Sequence, residues 1–297
     1  MDKQILSVVV YRVFVVEGLL LMLTLASFLP QLHLIWMRKN ASGIALSYIL
    51  FNVVVATEQF CLNFGLLING APSKGSLAHD PIITLDWLNF SQTTLSLLLF
   101  IALLLLCFWF PSDTNIPRKR WMLGAYTLYL AIVLIPLFID VISLINAPDV
   151  PDWQDKYPYR SILVAMIVGP HGLYLSYIAT ALAIAAICIQ ARVILQAQPS
   201  PGGPSPEPLF GSLSLASLGL QCVTFIVLAV AWVFRLSFGP GNSKPPFWFQ
   251  WGGCIIVNNA IIGVGQGVLL LLALWRQRDL GGDASGGERE PLLGSVR

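Results

Sequence analysis

Seven stretches of this chain are each long and apolar enough to cross a bilayer, and little else is compatible with them. They run over Tyr11–Trp36, Ile44–Asn69, Ile82–Phe110, Trp121–Asn146, Ser161–Ile189, Leu213–Phe238 and Phe249–Trp275, against the roughly 20 residues a membrane helix needs. A transmembrane barrel would alternate apolar and polar residues in short segments instead. Hydrophobic residues make up 56% of the chain and charged residues 11%, with a mean hydropathy of +0.75. A water-facing globule of this size carries about a quarter charged residues, so a soluble enzyme or a disordered chain is excluded. The expected fold is an all-α integral membrane protein of seven helices, multi-pass, with membrane lipid as its surroundings. The first segment is too long for a signal-peptide core and lacks a small-residue cleavage site, so it reads as a retained helix.

Basic residues orient the bundle, because cytosolic loops are enriched in them. With the N-terminus outside, the cytosolic parts hold Arg38, Lys39, Arg118, Lys119, Arg120, Arg192, Arg276, Arg278, Arg289 and Arg297, ten of the 17 basic residues. The expected topology is therefore N-out, C-in. A net charge of +2 gives no reason to expect nucleic acid as a partner. The five cysteines fall inside predicted helices without CxxC spacing, and read as apolar packing residues. His33, His79 and His171 are too dispersed for a metal site. No metalloprotease, nucleophile-elbow or phosphate-loop motif occurs. Neither an enzyme nor a cofactor is expected.

The end of the first segment reads Phe28-Leu29-Pro30-Gln31-Leu32-His33, followed by Arg38-Lys39-Asn40-Ala41-Ser42-Gly43. A Pro-Gln pair near a helix end, a basic turn and a Ser-Gly opening the next helix resemble the PQ-loop family, which includes cystinosin, vacuolar amino-acid exporters and, more distantly, SWEET-like transporters. The resemblance implies two parallel three-helix repeats joined by a linker helix, a 3+1+3 plan. It also implies transport of a small solute.

The second half echoes the first by spacing. Gln31 falls on Gln190 at an offset of 159, whereas Asn52 falls on Gln221 and Asn89 on Asn258 at 169. The extra residues lie in Pro199–Pro208, a Pro/Gly/Ser stretch that cannot form a helix and reads as an insertion. The implied organisation is a first repeat at 1–110, a linker helix with its loops at 111–160, a second repeat at 161–276 and a polar tail at 277–297. The second Pro-Gln pair is degenerate, with Ile189 where proline would stand. A proline inside a helix removes a hydrogen bond and kinks it, so Pro30, Gln31 and Gln190 are the hinge candidates. Gly169-Pro170, Gly252-Gly253 and Gly263, Gly265 and Gly267 are possible substitutes; for the last three, close helix packing is the simpler reading.

Ionisable and amide side chains within membrane helices face a partner or a cavity. Glu58 lies ~21 Å from the start of the second segment, in its outer half, and is the leading proton-coupling candidate, since an apolar medium disfavours the charged carboxylate. Asp140 and His171, placed nearer the outer surface, complete that set. Glu17 and Asp86 read as interfacial. Asn89 and Asn258 hold matched positions in the two repeats, and the resemblance implies that such asparagines reach the solute. With Gln92, Asn259, Asn52 and Gln221 they form the expected substrate site, in a polar vestibule opening outward.

In the tail, Glu288 and Leu292-Leu293 match an acidic dileucine sorting signal, a contact for a sorting adaptor. Together these features suggest a proton-coupled exporter of a small polar solute, an amino acid first among them, in the vacuolar or lysosomal membrane. The alternative is a seven-helix receptor or trafficking protein on the same fold, without transport. A retinal protein is excluded because every lysine lies at or beyond a helix end. A peptide-carboxylate receptor would need cavity cations, for which only Arg12 and Arg235 come near.

Overall fold

The computed structural model describes residues 3–69, 83–112, 114, 116–145, 169–197, 210–235 and 248–286. The Pro199–Pro208 insertion, His79 and the Glu288/Leu292/Leu293 signal lie outside them. Seven helices long and apolar enough to cross a membrane are present: α1 (Lys3–Arg38), α2 (Leu46–Asn69), α3 (Thr84–Trp109), α4 (Ile116–Ile145), α5 (Ser176–Gln196), α6 (Leu215–Arg235) and α7 (Cys254–Gly286). A single π-helical turn leads into α5 at His171–Leu175 and into α7 at Phe249–Gly253.

Four boundaries differ most from the sequence reading, two of them in length alone: α1 begins at Lys3 instead of Tyr11, and α7 continues past Trp275 to Gly286, into the stretch assigned to the tail. α4 starts before Trp121, so Arg118, Lys119 and Arg120 form its first turn. Pro117 suits that position, where its missing N–H costs nothing, and Lys119 donates to the Cys107 and Phe110 carbonyls that end α3 (2.9 and 3.2 Å). α5 continues past Ile189 to Gln196, so Gln190 lies within a helix instead of at its end.

Packing follows a repeated plan. α3 packs against both α1 and α2, and α7 against both α5 and α6. Between these groups, α1 meets α6 and α2 meets α5. α2 is the central helix, with 78% of its spanning window buried; α4, at 17%, touches the bundle along α2 and otherwise offers its surface to lipid. Exposed Trp36, Trp109, Trp121 and Trp275 lie towards one end of α1, α3, α4 and α7, as expected of an interfacial aromatic belt.

Lipid supplies no hydrophobic drive for helix association, so close packing must do the work. Phe28, Phe100 and Phe225 lock α1, α3 and α6 together at ring-centroid distances of 4.9 to 6.2 Å. The α7 glycines act as the packing reading anticipates. A Cβ on Gly263 would stand 2.9 Å from the Ile226 backbone nitrogen, one on Gly265 would overlap the Ile187 side chain, and one on Gly267 would come 3.0 Å from Cys222 Sγ. Gly263→Leu is therefore expected to force α6 and α7 apart and lower the thermal unfolding temperature in detergent by several degrees. The exposed Val264→Leu should leave it unchanged. Equal melting of the two variants would contradict the packing argument.

Candidate functional site

Two amide side chains tie the halves of the bundle together at the Gln31 end. Gln31, inside α1, donates through Nε2 to the Ser212 carbonyl and accepts the Ser214 N–H through Oε1, both at 2.7 Å. Gln190, inside α5, donates to the Gly43 carbonyl and accepts the Ala45 N–H, both at 2.9 Å. Each glutamine thus serves the backbone just before the helix that its own half lacks, α6 for Gln31 and α2 for Gln190. The bonded residues repeat at the offsets read from the sequence, 159 between the glutamines and 169 between Gly43 and Ser212 or Ala45 and Ser214.

The two loops served by these amides are pressed against each other. Ser212 N–H donates to Ser42 O (2.9 Å) and Ser212 Oγ to Asn40 O (2.6 Å), while Arg38 donates to Gly211 O. Gly43 has φ +80°, and a Cβ there would strike the Phe210 carbonyl at 2.1 Å. Only glycine fits that conformation and that gap. Pro30 sits one residue before Gln31 within α1 and denies Ala26 its usual hydrogen bond. Ile189 restores that bond in α5, yet Gln190 makes the same pair of contacts.

About 18 Å along α2 from Leu46, Glu58 is buried at 1% exposure. His171 Nδ1 lies 2.8 Å from both of its carboxylate oxygens. Tyr129 of α4 donates to Oε2 at 3.3 Å and Ser176 of α5 lies 3.5 Å from Oε1. Ser176 also donates to the His171 carbonyl at 2.6 Å across the π-helical turn. Two helices besides α2, namely α4 and α5 with its π-helical entry, therefore contribute to one carboxylate. The structure places His171 at the level of Glu58, in the middle of the bundle instead of near the outer surface. Asp140 is fully buried on α4, but ~16 Å along that helix from Tyr129, outside the cluster.

Further buried amides are spread along the same helices. Thr180, one turn from Ser176 towards the Gln31 end, donates to Asn258 Oδ1 at 2.6 Å. Gln92 donates to Thr24 (2.6 Å), Asn63 to Thr93 (3.2 Å) and Gln266 to Tyr48 (2.6 Å). Asn52 and Gln221 turn back on their own helices, to Tyr48 O (2.9 Å) and Ser217 Oγ (3.1 Å). Asn259 is buried. Gln59 Nε2, Asn89 Oδ1, Gln92 Oε1, Asn258 Nδ2 and Gln266 Oε1 are buried without a hydrogen-bond partner among the described residues. Such groups are costly in an apolar medium unless water or a ligand meets them.

Towards the far end, Trp232 is buried among Leu62 and Leu66 of α2 and Cys254 and Ile255 of α7. Arg235 lies over its ring at 4.7 Å and pairs with Glu17 of α1 through both Nε (2.9 Å) and Nη2. Glu17 is thus buried in an ion pair at the level of the last turn of α6. Its charge neutralises Arg235, one of the two cations on which a peptide-carboxylate receptor would depend. Asp86 caps α3, accepting the Ile83 N–H at 2.9 Å.

Tyr129, Ser176, Thr180 and Gln266 escaped sequence reasoning. Hydroxyls and amides scattered through apolar helices carry no spacing signal, and only the fold shows which meet. With this geometry in place, comparison with known proteins adds one finding. Residues 14–66 match the family model of the PQ loop repeat, a segment spanning most of α1, the Pro30-Gln31 pair and nearly all of α2. The match supports placing this seven-helix membrane protein in the PQ-loop family. Among curated proteins no match is found.

Removing one member of a buried charged pair costs about 3–5 kcal/mol, and removing both costs far less. His171→Phe is expected to destabilise the protein strongly, and adding Glu58→Gln to recover most of that loss in thermal melts. Additive destabilisation would mean the two groups are not coupled. For the amide contacts, Gln31→Leu should speed backbone hydrogen exchange at residues 212–214 while sparing 43–45, and Gln190→Leu should do the reverse.

Proposed function

We propose that the chain is a PQ-loop transporter that exports a small polar solute, an amino acid, from the vacuole or lysosome with protons as the driving ion. In this reading α1–α3 and α5–α7 are two parallel three-helix repeats joined by α4, with the N-terminus in the lumen and the C-terminus in the cytosol. The mutual arrangement of packing pairs and the paired glutamine contacts support that plan.

The observation that carries the proposal is the Glu58–His171 pair. It links the central helix α2 of one half to the entry of α5 in the other, deep in the apolar region. A proton arriving from an acidic lumen neutralises Glu58 and weakens its attraction for His171, so the α2–α5 contact loosens on the lumenal side. Release of that proton towards the cytosol restores the pair. Movement of the halves has to exchange these links against the Gln31 and Gln190 contacts at the cytosolic end, which is how alternating access would couple to the proton. Asp140, towards the lumenal end of α4, is a relay candidate on the route.

The solute would sit one turn from Ser176 on the cytosolic side, where Thr180 and Asn258 meet. The unpartnered atoms of Gln59, Asn89, Gln92 and Asn258 offer both donors and acceptors, with Asn259, Asn52 and Gln221 nearby. A wet interior answers their unmet hydrogen bonds better than a dry one. Glu288, Leu292 and Leu293 would recruit a sorting adaptor to the tail.

Ile189 in place of the second proline favours one rival, a receptor on the same fold that binds solute without moving it. Proteoliposomes bearing a pH gradient and a panel of radiolabelled amino acids separate the two, because flux needs no other protein. Glu58→Gln is expected to abolish gradient-driven uptake while leaving counterflow exchange. Undiminished driven uptake would remove Glu58 from the mechanism, and absence of all uptake with intact binding would favour the receptor. Pro30→Ala is expected to slow turnover more than it weakens affinity.

A further inference from the structure

At the Gln31 end, a cavity of about 320 Å³ opens between the start of α2, the start of α4 and the last turns of α5. Its lining divides by chemistry. Arg118, Ser47 and Thr114 form a polar side, and Ile44, Leu46, Ile189 and Val193 an apolar one. No carboxylate is among the described lining residues. Arg118 makes no hydrogen bond or ion pair with another described residue, whereas its neighbour Lys119 is committed to the end of α3.

We propose that this cavity binds a phosphomonoester anion. The dianion presents three acceptor oxygens, and the guanidinium fork with two hydroxyls supplies donors of matching number. The first turns of α2 and α4, which line the cavity, carry partial charge of the same sign as Arg118. A cavity of this size admits a phosphorylated polyol headgroup, and the apolar wall on α5 suits the start of an acyl chain. Carboxylate ligands would leave donors unused, and the phosphodiester of a zwitterionic lipid brings its own counter-charge.

Position gives the site a consequence. Ala45 and Ile189 both line it; the Ala45 N–H is held by Gln190, the residue after Ile189. An anion bridging Arg118 to Ser47 ties α4 to α2 beside that contact and holds this end of the bundle closed. No equivalent is expected in the other half, because α4 packs on α2 and has no second copy against α6. The inference concerns binding and is independent of whether the protein transports.

The test uses the purified full chain in detergent with dioctanoyl phosphatidylinositol phosphate, its soluble inositol phosphate headgroup and dioctanoyl phosphatidylcholine as probes, read by native mass spectrometry. The phosphorylated lipid is expected to bind in preference to phosphatidylcholine. Arg118→Gln should weaken it roughly tenfold, the loss of a hydrogen-bonded charge, while Arg120→Gln changes it less than about twofold. Val193→Trp, which fills the cavity, should abolish binding with the melting temperature retained. Bound ligand should slow hydrogen exchange at residues 43–48. If inositol phosphate competes as well as the lipid, the ligand is soluble; if it does not, the ligand is a lipid, and the chemistry is upheld either way. Equal losses in Arg118→Gln and Arg120→Gln, or no preference over phosphatidylcholine, would overturn the proposal.

Discussion

A polypeptide in hydrocarbon must satisfy its backbone polar groups from within, since no water is there to do so. Helices solve this along their length but not at their first turns, where N–H groups lack partners. In this bundle two glutamines carry the solution across the centre of the molecule. Gln31 and Gln190 each reach from one half to the strand of backbone entering a helix of the other. A primary amide is suited to this, having a donor and an acceptor at one tip, and it matches a carbonyl and an N–H two residues apart. An aspartate or glutamate at either site could accept but not donate. Everything at that end, including Gly43 at φ +80° and the loop around Phe210, is arranged so that these contacts form.

At mid-bundle the interaction between the halves is of another kind. The Glu58–His171 contact joins a carboxylate to an imidazole, where the Gln31 end uses neutral amides. The Glu17–Arg235 pair beyond Trp232 adds a further cross-link, between α1 and α6.

Much of this was legible in the sequence, for identifiable reasons. The seven spans follow from hydrophobic length alone. The offsets of 159 and 169 reappear in the residues that the two glutamines bond. Other features were hidden. Arg118-Lys119-Arg120 look like a loop, since basic residues mark cytosolic turns, but Pro117 and the caps from Lys119 draw them into α4. The partner of Glu17 is hidden because Arg235 stands more than two hundred residues away. Tyr129, Ser176 and Thr180 are hydroxyls without periodicity, and their roles exist only once α4 and α5 are docked on α2 and α7.

The degenerate second motif separates two roles that a Pro-Gln pair otherwise combines. Gln190 keeps both its hydrogen bonds with Ile189 before it, so the contact does not need the proline. What Ile189 changes is the helix itself. It has an N–H where proline has none, and removes the clash that bends the preceding turn. α5 therefore keeps at this level a hydrogen bond that α1 lacks, and its irregular ladder lies instead at the π-helical turn His171–Leu175. That turn carries His171 and is braced by the Ser176 hydroxyl on the His171 carbonyl. The histidine that meets Glu58 is thereby mounted on the irregular turn of its helix. The irregular position in α1 lies beside its glutamine, at Pro30, and that leading into α5 lies at its histidine.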